Sequence, residues 1–178
     1  MTQRVSIAIE DFSVRIHPLW ANRWFLLTSG DFAAGHFNTM TVAWGSMGTM
    51  WEKPFVQVVV RPVRYTYEFM ERYDSFTLSA FPSEHRDTLL FLGARSGRDS
   101  DKIAESGLTP IASSRVAAPG FAEAELIVEC RKVYWQDMDA AHFLTPEIER
   151  HYPERDYHRI YFGEVLAIWG DQAQYCAR

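Results

Sequence analysis

Cysteine is scarce. Cys130 and Cys176 stand far apart among 178 residues and form no CxxC pair. That excludes a disulfide framework and a cysteine-rich metal centre, and a reducing cytoplasm is the compartment expected. Long apolar runs are also missing. No stretch reaches the ~20 apolar residues of a membrane span, and the segment Met1 to Glu10 alternates without the apolar block of a leader peptide. A positive excess is absent as well: 18 Lys and Arg face 23 Asp and Glu, for a net charge of -5. A sequence-independent nucleic-acid binder needs a basic excess, so nucleic acid is not expected as a partner, nor is a membrane. A chain of this charge that binds phosphate must gather its cations locally.

Several catalytic and nucleotide-binding signatures are missing too. There is no GxGxxG after a strand and no GxxxxGK[ST], so the usual dinucleotide and nucleoside-triphosphate loops are excluded. The absence of GxSxG and HExxH removes the common hydrolase and zinc-protease signatures. His142, His151 and His158 share a stretch with Glu147, Glu149 and Glu154. No two of these histidines stand at the i,i+2 or i,i+4 offset that lets a strand or helix bind one ion, so no metal site is expected.

What the chain does have is aromatic weight: 15%, from six Trp, eight Tyr and twelve Phe. Such residues either fill a core or line a site for a flat ligand. The length fits one domain over residues 1–178. β-rich segments dominate: Phe12 to Ile16, Arg23 to Thr28, Phe37 to Trp44 (ended by Gly45 and Gly48), Phe55 to Val60 and Ser75 to Phe81. Helices are expected at Arg64 to Tyr73 with Thr66 as N-cap, from Ser83 through Leu92, and at Asp101 to Ser106. Over Glu123 to Trp135, Glu123, Glu125, Glu129 and Arg131 share one face, which predicts a strand with one wet side. Arg159 to Trp169 is apolar on both faces and predicts burial in a barrel wall or at a subunit contact. With no regular βαβ alternation, the fold expected is mostly β with short helices, an antiparallel barrel.

Three segments can carry chemistry. Along Asn38 to Gly48, Thr39, Thr41, Ala43 and Gly45 make a small face that lets a ring or another backbone approach closely. Arg61-Pro-Val-Arg-Tyr-Thr66 offers two guanidiniums, a hydroxyl and a helix start with no acid, the set a phosphate dianion wants. Ser96 to Lys102 is a polar loop able to close over a phosphate. Each also has a plain structural reading, as a packed strand, a helix cap and a solvated turn.

Taken together, the segments resemble the flavin reductase-like family with an FMN-binding split barrel, in its flavoredoxin-like branch. The matching residues are Asn38-x-Met40-Thr41-x-x-Trp44-Gly45, Trp51-x-Lys53-Pro54-Phe55, Arg61-Pro-x-Arg64-Tyr65-Thr66, Ser96-Gly97-Arg98-Asp99 with Lys102, then His142 and Gly163-Glu164-Val165. The resemblance implies a Greek-key antiparallel split barrel, a homodimer, and FMN near the subunit boundary. It implies that Asn38, Thr39, Met40 and Thr41 hold the ring edge and that Trp44 shapes the ring pocket. Ser46, Arg64, Tyr65, Thr66 and Lys102 would serve the phosphate and ribityl side. His142, a possible catalytic residue, and Tyr175 would approach the flavin. The implied activity is electron transfer from NAD(P)H through FMN to flavin or another acceptor, including a redox partner protein. A non-enzymatic electron carrier and a split barrel without flavin stand as alternatives.

Overall fold

The computed structural model describes residues 4–176. In chain order the elements are β1 (Val5–Ser6), α1 (Ile16–Pro18), β2 (Phe25–Asp31), β3 (His36–Val42), β4 (Gly45–Met50) and β5 (Lys53–Val60). Then come α2 (Tyr65–Arg72), β6 (Ser75–Ala80), α3 (Arg86–Ala94), α4 (Lys102–Ser106), β7 (Pro110–Ile111) and β8 (Gly120–Phe121), followed by β9 (Leu126–Asp137), β10 (Arg159–Gly170) and α5 (Gln172–Tyr175).

The main sheet runs β3-β2-β6-β9-β10-β5-β4, with β1 added to β10, and every pairing is antiparallel. Its two ends, β3 and β4, are consecutive in the chain and separated only by Ala43 and Trp44. Three Cα–Cα steps span at most about 11 Å, so the sheet must curl until its edges meet. The result is a barrel with a seam between β3 and β4.

Inside lie Phe25, Leu27, Val42, Val56, Val58, Phe76, Leu78, Val128 and Tyr161. A second cluster outside the wall joins Leu26 and Ile127 to Leu89, Leu92, Ile103 and Phe121. At Gly163 an added Cβ would lie 2.5 Å from the Phe76 ring and 2.8 Å from Cys130 Cβ. Only glycine lets β10 pass that close to the core.

Several local expectations are corrected. Phe12 to Ile16 is not a strand: Phe12 makes one bridge to Cys176, and α1 begins at Ile16. Gly45 and Gly48 do not end a strand but belong to β4, paired with Val58 and Phe55. Thr66 is not the N-cap of α2; Arg64 holds that position, and Thr66 is buried in the first turn. Ser83 likewise starts a short 3-10 turn that leads into α3.

The largest departure is β9. Its expected wet face is buried from Leu126 to Cys130, because the second cluster and the loop between β7 and β8 cover it. Glu129 accepts hydrogen bonds there from the backbone N–H groups of Ser114 and Arg115 and from the Trp169 indole. Glu125 is paired with Arg23 and accepts a hydrogen bond from the Tyr175 hydroxyl. Charged residues mark a wet face only while nothing covers it, and the covering loop is distant in sequence. Strand β10 buries Tyr161, Gly163, Val165 and Ile168, whereas Ile160, Phe162 and Leu166 on its other face stay half-exposed.

Candidate functional site

Two neighbouring cavities lie along β3. The first, about 280 Å³, opens at the seam and is lined by Met40, Thr41, Val42, Ala43, Trp44, Val59, Arg61, Arg64 and His158. The second, about 520 Å³, takes over from Gly35 to Asn38 and includes Tyr65, Phe69, Gly97, Arg98, Asp99 and Lys102. Their linings follow one another along β3, and again along the turn into α2, where Arg64 faces one cavity and Tyr65 the other.

Asn38 is the hinge between these parts. It is buried, and its Nδ2 donates to Thr66 Oγ1 at 2.7 Å, tying β3 to the first turn of α2. Gly97 packs so closely that a Cβ there would sit 2.4 Å from Asn38 Oδ1. This is the physical need for glycine in the Ser96 to Lys102 loop.

Lys102 is 3% exposed, and its ammonium donates to the carbonyls of Leu92 at 2.7 Å and Arg95 at 3.0 Å, at the end of α3. Burial, and then the positive charge of Arg64, push its pKa down to about 8. Arg64 Nη1 reaches the same helix end, at the Gly93 carbonyl. Among the described residues, neither cation has a carboxylate within ion-pair distance, although seven other ion pairs form. The buried ammonium, with a like charge beside it and no acid, is held by the partial negative charge of the carbonyls ending α3, and an anion entering the cavity would add a full countercharge.

At Thr41 the small face of β3 admits another stretch of backbone, one of the two approaches its pattern allows. Thr41 Oγ1 donates to the Leu89 carbonyl at 2.5 Å, and a Cβ at Gly93 would lie 3.1 Å from Thr41 Cβ. That face lets α3 pack closely. Thr39 is fully buried, accepting from Thr28 Oγ1 and donating to the Leu27 carbonyl. Because β3 is an edge strand, alternate backbone N–H and C=O groups along it have no strand partner.

Of the residues singled out in the sequence, Asn38, Met40, Thr41, Trp44, Arg64, Tyr65 and Lys102 line one cavity or the other. Thr66 joins through its bond to Asn38. Four do not come in, the fully buried Thr39 among them. Ser46 donates to Gln57 Oε1 at 3.0 Å, His142 sits exposed on a 3-10 turn, and Tyr175 is packed in the core against Glu125.

Arg61 and His158 do line the seam. His158 is buried, within hydrogen-bond reach of the Tyr152 hydroxyl at 2.7 Å through Nδ1, and its ring centre lies 5.4 Å from that of Trp44. Burial and the Arg61 charge push its pKa down to about 4, so the ring is neutral at neutral pH. Arg61 pairs with Asp156 and stands over the Tyr152 ring. The available sequence signal was position: His158 immediately precedes the strand that pairs with Val60, next to Arg61.

Residues 20–176 match the model of the flavin reductase like domain. This chain belongs to that family. A curated relative, an uncharacterized protein of Pyrococcus abyssi, is 26% identical over 152 residues, covering 84% of this chain and 74% of its own. Among solved structures, an FMN-binding domain of flavin reductases-like enzyme from Shewanella baltica superposes with a TM-score of 0.71 at 17% identity, covering 96% of this chain and 78% of that one. Flavoredoxin of Desulfovibrio vulgaris gives 0.66 at 20% identity, covering 97% and 78%. An FMN-binding protein from Thermus thermophilus, solved with a bound cyclohexenone, gives 0.67 at 17%, covering 97% and 81%. These likenesses establish the split-barrel fold.

Proposed function

We propose that this chain binds FMN, with the ring at the barrel seam and the phosphate between Arg64 and Lys102, and acts as an oxidoreductase that takes electrons from NAD(P)H. One observation carries the reading. Lys102 is a buried ammonium facing carbonyls and a second cation, with no acid at hand. A phosphate dianion supplies the missing charge and accepts charge-assisted hydrogen bonds from both side chains. Asn38 and Thr66 brace this end of the site, with the Tyr65 ring beside them.

The other end fits a flat heterocycle. Unpartnered backbone groups along β3 can meet the polar edge of a ring, while Met40 and the half-exposed Trp44 flank it. Neutral His158 offers a ring nitrogen at the cavity wall, held in place by Tyr152. When bound, FMN supplies the hydride and single-electron chemistry. The chain's own residues bind and orient the ring, keep water from one side, and leave the other open to a donor. Ser46, His142 and Tyr175 take no part in this reading. The FMN-binding proteins of Shewanella and Thermus with the same fold support it.

A homodimer fits the surface. Trp51 is 58% exposed and Tyr134 44%, and both pack on the half-exposed Phe162 of β10, an apolar aromatic patch beside the seam strands. A second copy would cover it. The two free cysteines suit a cytoplasmic setting.

The test is an absorbance spectrum of the protein loaded with FMN, followed by NADH or NADPH without oxygen. Bleaching of the flavin bands with turnover supports the reductase. A stable yellow complex that neither nucleotide bleaches would leave an electron carrier.

A further inference from the structure

Another cavity, of about 440 Å³, lies on the outer wall of the barrel, within the roughly 300–1,000 Å³ of small-ligand sites. Its floor is β9 and β10, where Ile127 and Trp169 are register partners and Glu129 follows on the same face of β9. These two strands stand in the middle of the pairing order, whereas the seam joins its ends. The cavity is therefore remote from the seam.

Arg4 is the one cation in its lining. The guanidinium donates through Nη1 to the Ala122 carbonyl at 2.8 Å and to the Ala124 carbonyl. Among the described residues its Nε and Nη2 groups make no hydrogen bond, and no carboxylate lies within ion-pair distance. Burial pushes its pKa down against the pull of Glu123, whose carboxylate accepts from the Thr109 N–H instead. The Nε–Nη2 edge left over is a planar fork, which takes a carboxylate through two parallel hydrogen bonds.

The rest of the lining suits a flat apolar body. The Trp169 indole N–H donates to Glu129 at 3.0 Å, which fixes the ring, and Ile111 and Ile127 extend the apolar surface. Glu129 is 1% exposed and also accepts from the Ser114 N–H and hydroxyl and from the Arg115 N–H. Four donors meet its two oxygens, so it has no call for a ligand cation.

We propose that this cavity is a second ligand site, which takes a small monocarboxylate with an aromatic body. The carboxylate sits on the Arg4 fork and the ring lies against Trp169. The site is independent of the FMN reading.

The full chain is titrated with 3-phenylpropionate, 3-phenyl-1-propanol and phenylalanine, by calorimetry and by the Trp169 indole N–H signal in NMR, assigned by its loss in Trp169→Phe. Saturable 3-phenylpropionate binding is expected at about 1 mM or below, with that signal shifting. The uncharged alcohol, and the acid on Arg4→Gln, should each bind at least about tenfold more weakly, while FMN affinity stays unchanged. Phenylalanine should bind no more tightly than the acid. Ala112→Phe, which places a ring on the cavity wall, should also weaken the acid and keeps the test open if Arg4→Gln does not fold. Absence of saturation, equal affinity for acid and alcohol, a preference for phenylalanine, or displacement of the acid by FMN would each overturn the proposal.

Discussion

Replacing Lys102 by Met keeps the length of the side chain and removes its charge. In the free protein that charge is buried beside Arg64 and balanced only by the Leu92 and Arg95 carbonyls. A hydrogen bond to a charged partner contributes about 1.5–3 kcal/mol. Lys102→Met is therefore expected to weaken FMN about 10- to 150-fold while leaving riboflavin, which has no phosphate, nearly unchanged. Stability moves less, since relief of the buried charge opposes the loss at two carbonyls. The proton makes a second handle. The folded pKa of about 8 lies below the ordinary lysine value of 10.5, so the unfolded chain holds the extra proton between them. Lys102's contribution to stability is thus present above the unfolded value and is lost as pH falls through the folded one. A phosphate takes the ammonium form, so above about pH 8 FMN affinity should fall by up to about tenfold per pH unit. Quenching of flavin fluorescence, measured with FMN and riboflavin from about pH 7 to 9, reads both effects. Equal loss of the two ligands in the variant, or a flat pH profile for FMN in wild type, would refute the phosphate assignment.

Other consequences follow from single contacts. Arg23→Ala strands the Glu125 carboxylate, whose side chain is only 4% exposed, and should cost about 3–5 kcal/mol in denaturant unfolding; a change under about 1 kcal/mol would show that the pair is not buried as a unit. Gly163→Ala drives a methyl into Phe76 and Cys130 and should cost at least about 1–3 kcal/mol, whereas an unchanged midpoint would mean that β10 yields easily. His158, with its pKa pushed down to about 4, should keep its neutral-ring NMR shifts from about pH 8 down to 5, and a midpoint near the ordinary histidine value would place it in solvent.

The periodic parts of the fold were legible in the sequence. β2, β3, β5, β6, β9 and β10 appear near the segments whose alternation or β-branched content marks them. The barrel's closure was not, because it depends on β3 and β4 lying at opposite ends of the pairing order, a long-range fact. The buried Glu125 and Glu129 were misread for a related reason: alternation reports which residues share a face, not what covers that face. At the site, Arg64, Tyr65 and Lys102 carried their signal in residue type. His158 did not, since a lone histidine among three in an acidic stretch shows nothing until Trp44, Arg61 and Tyr152 surround it. Thr41 shows how one small residue serves two neighbours, its hydroxyl bonded to α3 while it also lines the seam cavity.

The most direct measurement is a titration of the wild-type chain at neutral pH with FMN and, separately, with riboflavin. The unbalanced cations beside the barrel seam predict saturable FMN binding at one per chain, at least tenfold tighter than riboflavin. Equal affinity for the two, or no binding of FMN, would contradict it.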